Sequence, residues 1–257
     1  MAIITLEEDI MHLRASGRIL AKTLASLEER VKPGVSAEEL DELADELIQS
    51  EGGIPSFKNY GSKGNEYPCA ICVSVNDEIV HALPSKEKVF KEGDIVGIDC
   101  GVSYNGLYTD SAITIAVGDI SPEKSALLEV TKKSMHAGIK QAKPGNTISD
   151  ISKAIQASID EEKYGIVRDL VGHGVGYGVH EDPHIPNFWP WRGNGGSGPK
   201  IVEGMVLAIE PMVTLGDWKT VTGKDGWSVH TEDSSDSAHF EHTILVRKSG
   251  AEIITQA

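Results

Sequence analysis

Apolar positions along the N-terminal part of the chain recur at helical spacing behind two capping motifs. Thr5-Leu-Glu-Glu8 reads as a capping box. Ile10, Leu13, Gly17, Leu20, Leu24 and Leu27 then follow one face of a helix that ends at Lys32-Pro33-Gly34. Ser36-Ala-Glu-Glu39 opens a second amphipathic helix, with Leu40, Leu43, Ala44 and Leu47 on one face and Gly52-Gly53 at its end. Residues 54–68 are rich in Gly, Ser, Asn and Pro and read as loop. Strands are expected around 69–75 and 79–83, then a hairpin across 94–117 turning at Asn105-Gly106, two residues that tolerate positive φ. Helical patterning returns at Ser121-Pro122, a cap followed by proline, and runs to Lys143-Pro144-Gly145; Thr147 caps a further helix that ends near Gly165. Residues 184–200 form a long loop with three aromatics.

This pattern repeats. Helix, Lys-Pro-Gly, helix occurs twice at an offset of 111 residues, and the same offset aligns Lys91-Glu-Gly-Asp-Ile-Val-Gly-Ile-Asp99 with Val202-Glu-Gly-Met-Val-Leu-Ala-Ile-Glu210. Two matches at one offset point to an internal duplication, with halves of about 1–118 and 119–257 inside a single domain of 257 residues. Helices covering a curved, mainly antiparallel sheet make the expected class α+β.

The strands carry acids in apolar surroundings. With a two-residue turn, Asp110 lies opposite Gly101, so Asp99 becomes its diagonal neighbour on the same face, within mutual reach. Two like charges there are costly unless something positive sits between them. The offset makes Glu210 the counterpart of Asp99. Glu241, in Phe240-Glu-His-Thr-Ile-Leu-Val246, matches Asp110 loosely, and Gly172-His-Gly-Val-Gly176 adds an imidazole, His173, among glycines. Any one acid alone is more often a surface residue than a ligand; the convergence of four in apolar strands reverses that weighting. Several carboxylates with one nitrogen favour a transition metal, and four acids exceed the needs of one ion, which points to two ions sharing bridging carboxylates.

A formal net charge of -15 argues against gripping nucleic acid through the overall field. The N-terminal stretch has no basic region followed by an apolar core, and no apolar run reaches membrane-span length. Three cysteines do not make a disulfide framework, and Cys69-x-x-Cys72 in strand-like sequence reads as chemically quiet thiols in a reducing cytoplasm.

His81 in Ile-Val-His-Ala-Leu-Pro, Asp99, Asp110, Gly-His173-Gly-Val-Gly, His180-Glu-Asp-Pro, Ile-Glu210-Pro-Met and Phe-Glu241-His-Thr together resemble the signature set of type I methionine aminopeptidases, in order and over essentially the whole chain. The resemblance implies the pita-bread fold, whose halves are duplicated. It implies that Asp99, Asp110, His173, Glu210 and Glu241 bind two divalent metal ions (Co, Mn, Fe or Zn). Asp99 would chelate one ion, Asp110 and Glu241 would bridge, and His173 and Glu210 would complete the other. It implies removal of the initiator methionine from nascent polypeptides with a small second residue, by hydrolysis with a metal-activated water. Glu210 would shuttle the proton, His180 would hydrogen-bond the scissile peptide, and His81 would contact the amide nitrogen. Tyr67, Cys72 and Trp227 would line the methionine pocket; taken alone, each is ordinary core packing. The implied enzyme is a cytoplasmic monomer that meets nascent N-termini, with the ribosome as a further partner, and engages neither membrane nor nucleic acid directly. His12, His136, His184 and His230 fit no motif.

The chain departs from the family pattern in several places. Segment 59–67 is longer than the usual pocket loop, Val179 stands where a large residue often precedes the second histidine, and His239 replaces a common glutamine. These changes bear on pocket shape. Other readings are an Xaa-Pro aminopeptidase or prolidase-like enzyme, a non-catalytic pita-bread binding protein, and a two-metal phosphatase. The last would want basic residues beside the acids.

Overall fold

The computed structural model of the protein describes residues 1–190 and 196–256. Helices α1 (Glu7–Arg30) and α2 (Ala37–Ser50) come first, followed by strands β1 (Ile54–Pro55), β2 (Gly61–Ser62), β3 (Asn65–Glu66), β4 (Ile71–Val75), β5 (Glu78–Val80), β6 (Ile95–Tyr104) and β7 (Leu107–Ala116). Helices α3 (Pro122–Ile139) and α4 (Ile148–Ala157) lead into β8 (Gly165–Ile166), β9 (Gly172–Gly174), β10 (Glu181–Ile185), β11 (Val206–Ile209) and β12 (Met212–Thr214). The chain continues through β13 (Thr220–Thr222), β14 (Val229–Thr231), β15 (Ser237–His239), β16 (His242–Arg247) and β17 (Gly250–Ile253). All strand pairings among the described residues are antiparallel, in the α+β arrangement the sequence predicts.

Helices α1 and α2 cover the β1–β6–β4 sheet and β7, and α3 and α4 cover the later sheets. The predicted face of α1 is buried. Gly17 is required there, because a Cβ would collide with the carbonyl of Ile254 at the end of β17. Ser36 forms its capping box with Glu39, and the Ser121 side chain caps α3.

Five local expectations are corrected. The N-cap of α1 is Leu6, with no side-chain cap, so the Thr5 box does not form. Ala2 and Ile4 are instead buried in an apolar cluster, and Ile4 N–H donates to the Gly204 carbonyl; that burial outweighs a cap, while Glu7, Glu8 and Asp9 complement the helix dipole. Helix α3 stops at Ile139, and α4 stops at Ala157, well short of Gly165, where Ser158 Oγ turns back to the Ile155 carbonyl. The second expected strand stops at Val80, because His81 adopts φ 58°. Finally, the loop at 54–68 contains β1 and the small β2–β3 hairpin. Part of the aromatic loop, 191–195, lies outside the described residues.

Candidate metal centre

The centre is built where two sheets meet. Asn105 and Gly106 take φ values of 49° and 81°, closing a two-residue turn between β6 and β7. The resulting register sets Asp110 opposite Gly101 and Asp99 opposite Ala112, so the two acids share one face as expected. The edge of β7 meets the β15–β16 region through side-chain hydroxyls rather than a full ladder. Thr243 Oγ1 accepts from Asp110 N–H at 2.8 Å and donates to the Asp110 carbonyl at 2.7 Å. Ser111 Oγ donates to the Glu241 carbonyl at 2.6 Å, and Glu241 N–H donates to the Ala112 carbonyl at 2.9 Å. This seam sets Glu241 beside Asp110. On the far side, β11 lies between β9 and β16, with Ala208 paired to His173, and Glu210 follows directly after β11.

Ligand-type atoms of Asp110, His173 and Glu241 all lie within 4.8 Å of one another. His173 Nε2 is 3.3 Å from Glu210 Oε1, and its Nδ1 is 2.9 Å from the Gly174 carbonyl. A proton on Nδ1 satisfies that carbonyl and leaves the Nε2 lone pair facing the acids. His239 Nε2 stands 3.6 Å from the other Glu210 oxygen. Burial pushes Asp110, Glu210 and Glu241 well above the ordinary carboxylate range, and neighbouring acids reinforce this for Asp110 and Glu241. Burial raises Asp99 to about 6 and, with His180, lowers His173 to about 3. Asp99 Oδ1, Asp110 Oδ1 and Glu241 Oε1 are buried with no hydrogen-bond partner. A cluster of acceptors with orphaned oxygens and a neutral imidazole fits a divalent cation, which would satisfy all of them at once.

A cavity of about 510 Å³ opens onto this floor. Tyr67, Cys72 and Trp227, expected to line the methionine pocket, all face it, with the Tyr67 and Trp227 rings 5.2 Å apart and edge-on. His81 and His180 also line it, as do the five expected ligands. The Cys72 thiol is buried, which pushes its pKa well up and keeps it a quiet wall residue.

Sequence reasoning missed Phe57, Tyr60 and Met212, which also line the cavity, and His184, which no motif claimed. The segment holding Tyr60 had stood out only for its length. His239 had stood out as a departure, and its place against Glu210 gives that departure a physical location. No Lys or Arg is found among the described cavity-lining residues, which removes the support a phosphatase would need.

An α+β shell around a buried cluster of carboxylates and imidazole, beneath a peptide-sized cavity, defines a metal-dependent hydrolase of the pita-bread class. The chain belongs to metallopeptidase family M24, whose pattern matches residues 11–248. It is 46% identical to a methionine aminopeptidase of Clostridium acetobutylicum over 99% of each chain. It is 47% identical to methionine aminopeptidase 1 of Bacillus subtilis over 95% of each. The crystal structure of methionine aminopeptidase from Thermotoga maritima superposes with a TM-score of 0.94 at 44% identity, covering 100% of both chains. A prolidase from Pyrococcus furiosus, 23% identical with a TM-score of 0.78, shares the fold, and this chain covers 66% of its length.

Proposed function

We propose that this protein removes the N-terminal methionine from nascent chains whose second residue is small. The observation that carries the reading is the apolar slot of Phe57, Tyr67, Cys72 and Trp227 opening directly onto the acid–imidazole floor. A flexible, unbranched thioether fits such a wall. Asp99, Asp110, His173, Glu210 and Glu241 would hold two divalent ions drawn from Co, Mn, Fe or Zn. When bound, such ions polarise a carbonyl and lower the pKa of water to near neutral.

The chain's own residues supply the rest. Glu210, which follows directly after β11 on the cavity floor, takes the proton of the attacking water and passes it to the departing amide nitrogen. His180, at the mouth, donates a hydrogen bond to the peptide carbonyl as negative charge develops there. Burial holds the His81 imidazole neutral, lowered to about 4, and it contacts the amide nitrogen as the new amino terminus leaves. Crowding of His81 and His180 over the floor favours a small second residue. The three cysteines are free thiols, in keeping with a cytoplasmic monomer that meets chains at the ribosome. Among the described residues no helix is long and apolar enough to cross a membrane.

The test is hydrolysis of Met-Ala-Ser, Met-Leu-Ser and an Xaa-Pro peptide by metal-reconstituted protein. The first alone is cleaved well, and Glu210→Ala abolishes its cleavage. Preference for the proline peptide would overturn the assignment, and inactivity toward all three with several metals would favour a non-catalytic binding protein.

A further inference from the structure

The extended segment 59–67 contains a side chain that reaches the rim histidine. Tyr60 Oη lies 2.7 Å from His180 Nδ1, with the ring centroids 5.1 Å apart. The other face of the contact is fixed too, since the His180 ring packs edge-on against His173 at 4.4 Å. Although Tyr60 is 42% exposed, its backbone is held at both ends. Tyr60 N–H donates to the Phe57 carbonyl at 2.9 Å, and Tyr67 N–H donates to the Tyr60 carbonyl at 2.7 Å. Phe57 and Tyr67 are walls of the slot, so the segment that shapes the slot also places the phenol.

A hydrogen bond between a phenol and an imidazole nitrogen can run either way: the O–H donates to the ring lone pair, or the phenol oxygen accepts from a ring N–H. A neutral imidazole carries one N–H and one lone pair, and the partner of one nitrogen decides which atom bears the proton. The phenol of Tyr60 is protonated at neutral pH, its ionisation further disfavoured by burial, so its O–H is available to donate into the Nδ1 lone pair, the direction in which Tyr60 acts on the ring. The ring proton then resides on Nε2. We propose that Tyr60 is a positioning residue that holds His180 in the Nε2–H tautomer, so that the rim presents one fixed N–H donor to the substrate's peptide carbonyl. The inference deepens the aminopeptidase reading and rests on it for the role of that donor; the tautomer itself does not depend on it.

The test uses the full chain labelled with 15N-histidine. Long-range proton–nitrogen spectra are recorded for the wild type and for Tyr60→Phe, which keeps the ring and removes only the hydroxyl, with His180→Asn assigning the signals. The wild type shows a pyridine-like Nδ1 and a pyrrole-like Nε2 for His180, and in Tyr60→Phe the two shifts move toward each other. In parallel, kcat for Met-Ala-Ser falls on the order of tenfold in Tyr60→Phe while KM stays within about twofold. A pyridine-like Nε2 in the wild type, or spectra and kcat unchanged by the substitution, overturns the inference even where Met-Ala-Ser is cleaved. The predicted spectra in a protein that cleaves none of the peptides uphold the tautomer lock and overturn the aminopeptidase reading instead.

Discussion

On the floor of the cavity, Asp110 lies on a ten-residue strand and Glu241 on the seam next to β16, 4% and 2% exposed, with hydroxyl side chains binding their backbones. On the rim, Tyr60 and His180 sit in irregular backbone, exposed, and meet through one side-chain hydrogen bond and a ring contact. The floor gathers like charges into low dielectric at a cost to the fold, whereas the rim is nearly free of such conflict. Rigid placement of mutually repelling groups is what a cation site needs, because the ion supplies the missing attraction only if its ligands cannot relax away. A rim needs a defined donor and room to admit a chain.

The largest expected effect comes from relieving the floor. Glu241→Gln keeps the shape and removes one acid. It should lower kcat/KM for Met-Ala-Ser by about 10³-fold, roughly 4 kcal/mol of transition-state stabilisation, and weaken divalent-metal binding measured by calorimetry. In the metal-free protein at neutral pH the same change should raise Tm, because the fold no longer has to hold a proton on, or bury the charge of, one of the crowded acids. A lower metal-free Tm would show that the acids are not in conflict and that the contrast between floor and rim is wrong.

The second effect is the pH dependence of the metal-free protein. Asp99 has a folded pKa near 6 against an ordinary value of 3.8, and burial is the main cause. Between those values the folded state holds more protons than the unfolded state, so stability is full below the lower value and is lost as pH rises through about 6. Asp110, Glu210 and Glu241 shift in the same direction and extend the loss upward. The lowered imidazoles of His81 and His173 work in the opposite sense below their ordinary value of 6.5, so thermal melts of chelator-treated protein from about pH 6.5 to 8 should show falling Tm, and saturating divalent metal should flatten the curve. A rising Tm over that range in metal-free protein would contradict the assigned shifts.

The third probes the seam. Thr243 is fully buried and bonds both backbone groups of Asp110. Thr243→Val has nearly the same volume but leaves the Asp110 N–H unpaired, so it should cost roughly 2 kcal/mol in urea unfolding and weaken metal binding without touching the slot. Lost stability with unchanged metal affinity would mean that the seam holds the sheets together without setting the geometry of the acids.

The same contrast explains what the chain disclosed before its structure was known. Asp99 and Asp110 were legible because strand alternation and an Asn-Gly turn fix register through local rules, and the observed pairing of Asp110 with Gly101 follows from them. The N-terminus of α1 was misread because a capping motif is local, while the burial of Ala2 and Ile4 depends on residues 204–206, far away in sequence. The contact between Tyr60 and His180 spans 120 positions and joins two irregular segments. No periodicity encodes such a pair, and the only trace of it was an unusually long segment. His239 likewise showed as an odd residue, with nothing in the sequence to aim its Nε2 at Glu210.

The smallest effect is expected where the rim is tied to its surroundings. Arg168 lies between two rings, its guanidinium carbon 5.2 Å from the Phe188 centroid and 4.8 Å from that of Trp218, and this stack links the 184–190 segment to the loop before β13. Cation–π contacts near the surface contribute about 0.5–1 kcal/mol, and Trp218 does not line the cavity. Trp218→Ala should therefore lower stability by roughly 1 kcal/mol and leave kcat/KM for Met-Ala-Ser within about twofold of wild type. Asn187, in the tethered segment, is buried and donates to the Glu210 carbonyl at 3.1 Å, so the segment does reach the floor. If Trp218→Ala reduced metal affinity, the stack would be holding Glu210 through Asn187, and the boundary between floor and rim would have to be redrawn to include the aromatic loop.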